Sequence, residues 1–513
     1  AQSDPHEQAI AELQDKLETI WSGATLRRGT TAVYVVDAIT GEELYSVHNR
    51  APLNPASNVK LVSTATVLAT LGPDWRYETS ILGSVPDDTG RVAGDIYLQG
   101  NYDPTLGPGA MTEMARSLYD QGIRSIAGVL LLRDTDVRAS LGTKRIRLAV
   151  SGAARGKEPS VQAWPVSDML QVESKKVRSR RRGRSRVRLR STVAEVEGQA
   201  KIQVTLQGNI RQGHRRVLSL NVPHPALFTG SVLKSALHNV GISFEGQVRP
   251  ATIDQFKSQV ATPQAIATHH SVPMASLVSR VNKRSLNHLA DRLVMTAAQE
   301  KYGGGLDMSA AVLLMKDWLH GIGVDASAVV LDTGSGLSYR TRLTTQQIVQ
   351  VLRAAGGYLD AAAIESTESI QTFRDSLAIG ATDGTLRRRF RNKGLTLERH
   401  VHGKTGTLTS VIALSGFLTR PDGQTLCFSI VTNGHRNHRK RQVRLEHEHM
   451  VAGLDSYLGK AQLSETTIPF TVDASPVPVE TQVESETVSP LETKLAQQTH
   501  HSLPHTARIP PHH

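Results

Sequence analysis

Cysteine is almost missing from this sequence: Cys427 is the one thiol in 513 residues, so no internal disulfide braces the chain. It lies in the strand-like run Leu426-Cys427-Phe428-Ser429-Ile430-Val431, where a buried, inert thiol is expected rather than a nucleophile. Aromatic residues make up only 4% of the chain, beside 39% hydrophobic residues in all, which suits a globular protein. No apolar run approaches the ~18–20 residues of a membrane span. No apolar h-region of a signal peptide follows Ala1, as expected either of a cytosolic protein or of a chain already processed.

Acidic residues are outnumbered, 47 against 59 basic ones, which leaves a formal net charge of +12. Much of the excess sits in one run, KKVRSRRRGRSRVRLR from Lys175 to Arg190. Such a run suits a polyanion, whether nucleic acid, anionic wall polymer or lipid headgroups. It equally suits a solvated mobile loop or the exposed edge of a strand. No aromatics interleave the arginines, so base stacking has no support. A solvated loop or edge is the favoured reading, with at most weak polyanion or membrane-surface contact and no specific nucleic-acid site.

The length allows roughly two to four domains. Residues 4–24 carry Ile10, Leu13, Leu17 and Ile20 at helical spacing, and Thr31–Asp37 and Leu44–Val47 read as two strands joined at Thr40-Gly41-Glu42. From about 76 to 265 the texture shifts to short strands broken by Gly, Pro and Asp: Gly94–Gly100, Ile126–Leu132, Val193–Gln207 and Val217–Val222, with a helix near Met111–Gln121. Residues 276–301 return to helical periodicity, and Thr344–Ala354 forms a further helix. Leu408–Leu418 and Thr425–Thr432 are predicted to form an antiparallel hairpin about Arg420-Pro421-Asp422-Gly423. Periodicity ends after Tyr457, and 461–513 reads as a disordered tail. Its histidines, His500, His501, His505, His512 and His513, have no fixed scaffold, and no metal is assigned.

The chemistry gathers at Pro55-Ala56-Ser57-Asn58-Val59-Lys60-Leu61. Leu61, Ala65, Leu68 and Ala69 make an apolar helical stripe that stops at Gly72-Pro73, so Ser57 opens a helix and Lys60 shares its face. A serine needs an adjacent base to act as nucleophile. A lysine becomes that base when burial near a helix N-terminus lowers its pKa, and the same terminus offers N–H groups to an oxyanion. Alone, S-x-x-K is weak: Ser231–Lys234 repeats it, and S-x-N occurs at both Ser285–Asn287 and Ser219–Asn221. The sole K-T-G, at Lys404-Thr405-Gly406, fixes the choice. Ser231 comes after Ser219 and cannot take it as partner, whereas Ser57/Lys60, Ser285/Asn287 and Lys404–Gly406 fit the order S-x-x-K, S-x-N, K-T-G.

That ordered set resembles the penicillin-recognising serine enzymes, specifically the class C low-molecular-mass penicillin-binding proteins, the D-alanyl-D-alanine carboxypeptidase/endopeptidase family. Further matches are Gly94–Leu98 with Asp103–Leu106, Gly334–Ser338, Asp383–Arg387, and Lys404–Leu408 with Leu414-Ser415-Gly416. The long interval between Lys60 and Ser285 also resembles that family, which inserts extra domains there; β-lactamases with these motifs keep it short. The resemblance implies an α+β fold: a penicillin-binding, β-lactamase-like peptidase domain with an antiparallel sheet flanked by helices, formed by 1–75 and 266–460. Residues 76–265 would be a β-rich insertion of two subdomains. Three features depart from the pattern: Leu286 stands where a polar residue is common, and neither the arginine-rich run nor the tail belongs to it.

The resemblance also implies roles. Ser57 would attack the carbonyl between two D-alanines while Lys60 takes its proton. Ser285 would pass a proton to the leaving amine, supported by Lys60 and Lys404. Asn287 would hold the acyl-side amide, and Thr405, Gly406 and Thr407 would line the substrate site, the two threonines receiving the terminal carboxylate. Backbone N–H groups of Ser57 and Thr407 would form the oxyanion hole. The expected partners are peptidoglycan stem peptides ending in D-Ala-D-Ala and β-lactams that acylate Ser57, with no cofactor, in an exported protein of the periplasm or other extracytoplasmic space after signal-peptide removal. Each residue taken singly has a plainer role: Ser57 an N-cap, Lys60 a surface lysine, Asn287 a helix-start residue, Lys404–Gly406 a strand entrance. The alternatives are a β-lactamase or esterase on the same fold, or a silent wall-binding protein, which would lack a motif residue. None is missing.

Overall fold

The structure of the protein, a computed structural model, describes residues 4–132, 145–196, 199–260, 262–359, 366–391 and 400–465. Helix α1 (Pro5–Trp21) starts where the Asp4 carboxylate accepts from His6 N and Pro5 fills the first turn. Strands β1 (Thr30–Asp37) and β2 (Glu43–Val47) follow, then a 3₁₀ turn, Ala56–Asn58, running into α2 (Val59–Leu71). The next portion holds β3 (Glu78–Gly83), β4 (Arg91–Val92), β5 (Ile96–Gly100), α3 (Pro108–Asp120), β6 (Ser125–Ile126) and β7 (Leu130–Leu132). It continues through β8 (Arg145–Ser151), β9 (Ser160–Trp164), β10 (Leu170–Arg180), β11 (Arg186–Val196), β12 (Gln199–Arg211) and β13 (Arg215–Asn221). Then come α4 (Pro225–Val240), β14 (Ser243–Phe244), β15 (Val248–Pro250), α5 (Ile253–Gln259) and β16 (Gln264–His270).

The last portion is helical at first: α6 (Met274–Arg284), α7 (Asn287–Tyr302), α8 (Met308–Gly321), α9 (Thr345–Ala355) and α10 (Thr367–Ser376). Strands β17 (Ala378–Ile379), β18 (Val401–Leu408), β19 (Val411–Thr419) and β20 (Thr425–Asn433) lead to α11 (Lys440–Glu465).

Six of these strands form one antiparallel sheet in the order β17-β18-β19-β20-β1-β2. Its two faces follow the period-2 alternation of the strands. Ile412, Leu414, Phe428 and Ile430 pack with Leu13 and Leu17 of α1 and Val451, Leu454 and Leu458 of α11. Ala413, Phe417, Cys427 and Val431 face the other way, into a core built from α2, α6, α7, α8 and α9. The result is an α+β layer structure with the sheet between helices, as the sequence predicts. The intervening strands form a five-stranded sheet, β15-β7-β5-β3-β16, and three three-stranded ones around a separate apolar cluster with α3 and α4. The described residues up to Glu465 cluster as one compact unit; within it, we propose that 76–265 is an accessory insertion into the peptidase domain.

Several boundaries differ from the sequence reading. Lys404–Gly406 does not enter the first strand of the predicted hairpin. The chain turns at Thr409-Ser410, so the motif lies inside its own strand, β18, paired to β19. The predicted helix over 276–301 is two helices, because Ser285 adopts a left-handed conformation, φ 54°, that ends α6. Val193–Gln207 spans the end of β11 and the start of β12, which pair antiparallel. The basic run takes the strand-edge form of the two readings: it spans the end of β10 and the start of β11, edge strands on either side of β12, with residues 181–185 outside both strands. Helix α11 continues to Glu465, beyond Tyr457; the rest of the predicted tail, with its histidines, lies outside the described residues.

Phe428 is fully buried on β20 and Val193 is 44% exposed on β11. Phe428→Ala should therefore cost about 3–5 kcal/mol of unfolding free energy, whereas Val193→Ala should stay within about 0.5 kcal/mol, both measured by urea denaturation.

Candidate active site

The turn that opens α2 is held from three directions. The Asn54 carboxamide oxygen accepts from Ala56 N at 2.8 Å, its Nδ2 donates to the Ser338 carbonyl at 2.9 Å, and its own N–H donates to Asn433 Oδ1 at 2.9 Å. Ala56 is thereby kept at φ 49°, a strained conformation for alanine. Two glycines let neighbouring backbone close on this turn. A Cβ on Gly406 would stand 2.6 Å from Pro55 O, and one on Gly336 (φ 73°) would stand 2.0 Å from Ala56 O. Larger residues at either position would push β18 or the 333–338 loop away from Ser57.

Ser57 is half-buried on this turn, and Lys60, one helical turn on, is fully buried. Lys60 is no surface lysine. Its Nζ donates to Ser57 Oγ at 3.0 Å, to Asn287 Oδ1 at 2.7 Å and to the Ser335 carbonyl at 2.5 Å. These three acceptors match the three ammonium protons. Burial nonetheless lowers its pKa to about 7, opposed in part by the carboxylate of Asp291. Asp291 is anchored in turn by accepting from Ser335 N at 2.7 Å, and burial raises its own pKa.

A second lysine approaches from the sheet. Lys404 of β18 is completely buried; its Nζ donates to Ser285 Oγ at 2.9 Å and to the Thr405 carbonyl at 2.8 Å. Burial first, and the charge of Lys60 second, hold its pKa well below the usual lysine range. Ser285 reaches this spot because its left-handed conformation ends α6 and lets α7 begin at Asn287. The sequence-predicted residues thus meet in two linked sets, Ser57–Lys60–Asn287 and Ser285–Lys404, joined by the repulsion between the lysines.

Thr405 and Thr407 lie along the same strand beside a cavity of about 540 Å³ lined by Arg388, Arg391, Arg441 and Arg444. Thr405 Oγ1 donates to Thr385 Oγ1 at 2.9 Å, and Arg444 Nη2 donates to Thr407 Oγ1 at 3.3 Å. Arg389, also at this cavity, is matched by Glu448 at 2.7 Å. The sequence reading did not assign roles to Ser335, Asp291 or Arg444. Gly334–Ser338 was legible as a turn, but a backbone carbonyl acceptor leaves no mark in a sequence.

The duplicate motifs lie elsewhere. Ser231 and Lys234 are buried in α4, where Ser231 donates to Asp168 and Lys234 donates to the Gly246 carbonyl at 2.8 Å. Ser219 and Asn221 are on β13. Among the described residues, no group of His, Cys, Asp and Glu is arranged to hold a metal ion. A half-exposed serine touching a buried lysine of depressed pKa, with a second serine–lysine pair beside it, is equipped for acyl transfer.

Comparison with known proteins agrees with this geometry. The profile of the D-Ala-D-Ala carboxypeptidase 3 (S13) family matches residues 13–141 and 138–454. A D-alanyl-D-alanine carboxypeptidase from an Actinomadura species is 30% identical over 462 residues, covering 83% of this chain and 82% of the relative. The carboxypeptidase DacB of Mycolicibacterium smegmatis is 27% identical, over 78% of this chain and 75% of its own length. In structure, penicillin binding protein 4 (dacB) from Haemophilus influenzae, solved in complex with a β-lactam, superposes with a TM-score of 0.63 at 21% identity, covering 86% of this chain and 99% of that one. That superposition speaks for the fold. Given the profile match across both the peptidase motifs and the residues between them, the chain belongs to the D-Ala-D-Ala carboxypeptidase 3 (S13) family.

Proposed function

We propose that this protein is a serine D-Ala-D-Ala carboxypeptidase and DD-endopeptidase of peptidoglycan stem peptides, working through an acyl-enzyme at Ser57. The observation that carries the reading is the contact of Lys60 Nζ with Ser57 Oγ at 3.0 Å, made by a lysine whose pKa burial has brought to about 7. Near neutral pH a large share of Lys60 is the free amine, able to take the Ser57 proton as Oγ attacks the scissile carbonyl. The carbonyl oxygen is received by the N–H groups of Ser57 and Thr407. Asn287 holds the acyl-side amide. Ser285, touching Lys404, delivers the proton to the leaving amine, and C–N cleavage frees the terminal D-alanine or, in a cross-link, the amine of the second stem. Thr405, Thr407 and Gly406 line the carboxylate end, beside the arginine-lined cavity. Water then attacks the ester, with Lys60 as base, and regenerates Ser57.

A β-lactam enters the same sequence, its ring amide taking the place of the peptide bond, and forms an ester on Ser57. The substrate places the protein outside the cytoplasm, in the periplasm or an equivalent envelope space. Among the described residues no helix is long and apolar enough to cross a membrane.

Incubation with a peptide ending in D-Ala-D-Ala should release D-alanine, quantified by a D-amino-acid oxidase assay, and Ser57→Ala should reduce the rate more than about 10³-fold. Release at the wild-type rate by the folded mutant would contradict the proposal. The pH dependence has a defined sign. Below about 7 Lys60 holds its proton and cannot act as base, so kcat/KM should rise through a midpoint near that value and then level off. A profile flat from about pH 5 to about pH 9 would remove Lys60 from the base role.

A further inference from the structure

The basic run forms an ordered array. In the sheet β10-β12-β11, Val177, Val187, Leu206 and Ile210 point into the apolar core, so their neighbours along each strand point out. The outward residues line up in register: Lys176 with Gln207 and Arg188, Arg178 with Asn209 and Arg186, and Arg180 with Arg211. Lys176, Arg178 and Arg180 on one edge strand, and Arg186, Arg188 and Arg190 on the other, are all exposed. Arg181, Arg182 and Arg184 extend the array through the turn that leaves β10. Neighbouring strands are ~4.8 Å apart and alternate residues ~6.6 Å apart, so the two cationic rows stand ~10 Å from each other with Gln207 and Asn209 between them.

Almost nothing opposes this charge. Among the described residues none of these arginines, nor Lys176, is in an ion pair. The carboxylate nearest in register is Glu173, in the row of Thr205 and Arg190. Like charges on adjacent rows repel and weaken a sheet, so local stability does not account for the pattern. Nor does catalysis: among the described residues, the hydrogen bonds of Lys60 and Lys404 run to Ser57, Asn287, Ser335, Ser285 and Thr405, none of them in the run.

We propose that the outward face of β10, β12 and β11 is a docking surface for a bilayer carrying anionic phospholipid. The array favours a plane of phosphates over a single thread. It is two rows wide, with the rows ~10 Å apart, so one linear polymer would neutralise one row while a headgroup plane meets both. The outward positions named here carry no aromatic or aliphatic side chain to insert into the bilayer, and contact is electrostatic, at headgroup depth. This inference does not rest on the proposed peptidase chemistry.

The test is co-sedimentation of the full-length protein with vesicles of phosphatidylcholine alone or mixed with phosphatidylglycerol. Binding is expected only to the anionic vesicles and should fall steeply as salt is raised. Arg178→Gln/Arg186→Gln/Arg188→Gln should weaken it about a hundredfold, and the matching triple lysine variant should bind as wild type. Thermal unfolding of each variant checks that the sheet is intact, and the salt titration of the wild-type protein stands without any variant. Equal binding to both vesicle types, or glutamine and wild-type proteins that bind alike, would overturn the proposal. So would failure on anionic vesicles with tight binding to soluble polyphosphate, which would make the face a site for a polymer thread.

Discussion

Two lysines, Lys60 and Lys404, are buried side by side, and the structure of the peptidase half follows from making that tolerable. An ammonium group withdrawn from water loses several kcal/mol of hydration unless it finds acceptors or gives up its proton. Here both happen. Lys60 meets oxygens from Ser57, Asn287 and Ser335, and Lys404 meets those of Ser285 and Thr405. Burial then moves both pKa values down, and the charge of Lys60 pushes that of Lys404 further. The same desolvation that threatens stability brings the Lys60 pKa to about 7, as its proposed role of base requires. The acceptors come from four separate parts of the chain, so the site exists only when α2, the α6–α7 junction, the 333–338 loop and β18 are all in place.

Backbone proximity makes that convergence physical. Gly406 and Gly336 are where β18 and the loop touch the Ser57 turn, at distances no side chain could occupy. The six-stranded sheet supplies the rigid support: β18 is fixed along its length to β19, and helices cover both faces of the sheet. Lys404 therefore projects from a firm strand toward a helix start that Asn54 has already pinned. Sites carried on regular elements hold their geometry better than sites carried on loops.

Much of this was legible in the sequence, for local reasons. S-x-x-K fits a single helical turn, and the three motifs in order limited the choice among duplicates. What escaped depended on contacts the sequence does not encode nearby. Thr409-Ser410 carries none of the usual glycine or proline turn signals, so β18 and β19 blurred together. Ser285 is a serine in a conformation that glycine or asparagine more often fills, which hid the break between α6 and α7. Asp291 and the Ser335 carbonyl matter only because Lys60 is buried against them. In the basic run, the alternation Arg186-Val187-Arg188-Leu189-Arg190 is the strand signal that decides between the loop and the strand edge that its charge left open.

The central claim is that Ser57 is the residue acylated. Intact-protein mass spectrometry after incubation with benzylpenicillin, followed by peptide mapping, tests it directly. The account predicts a single adduct carried by the peptide that contains Ser57 and absent from Ser57→Ala. An adduct on another residue, such as Ser231 of the duplicate motif, or no adduct on the folded wild-type protein, would contradict it.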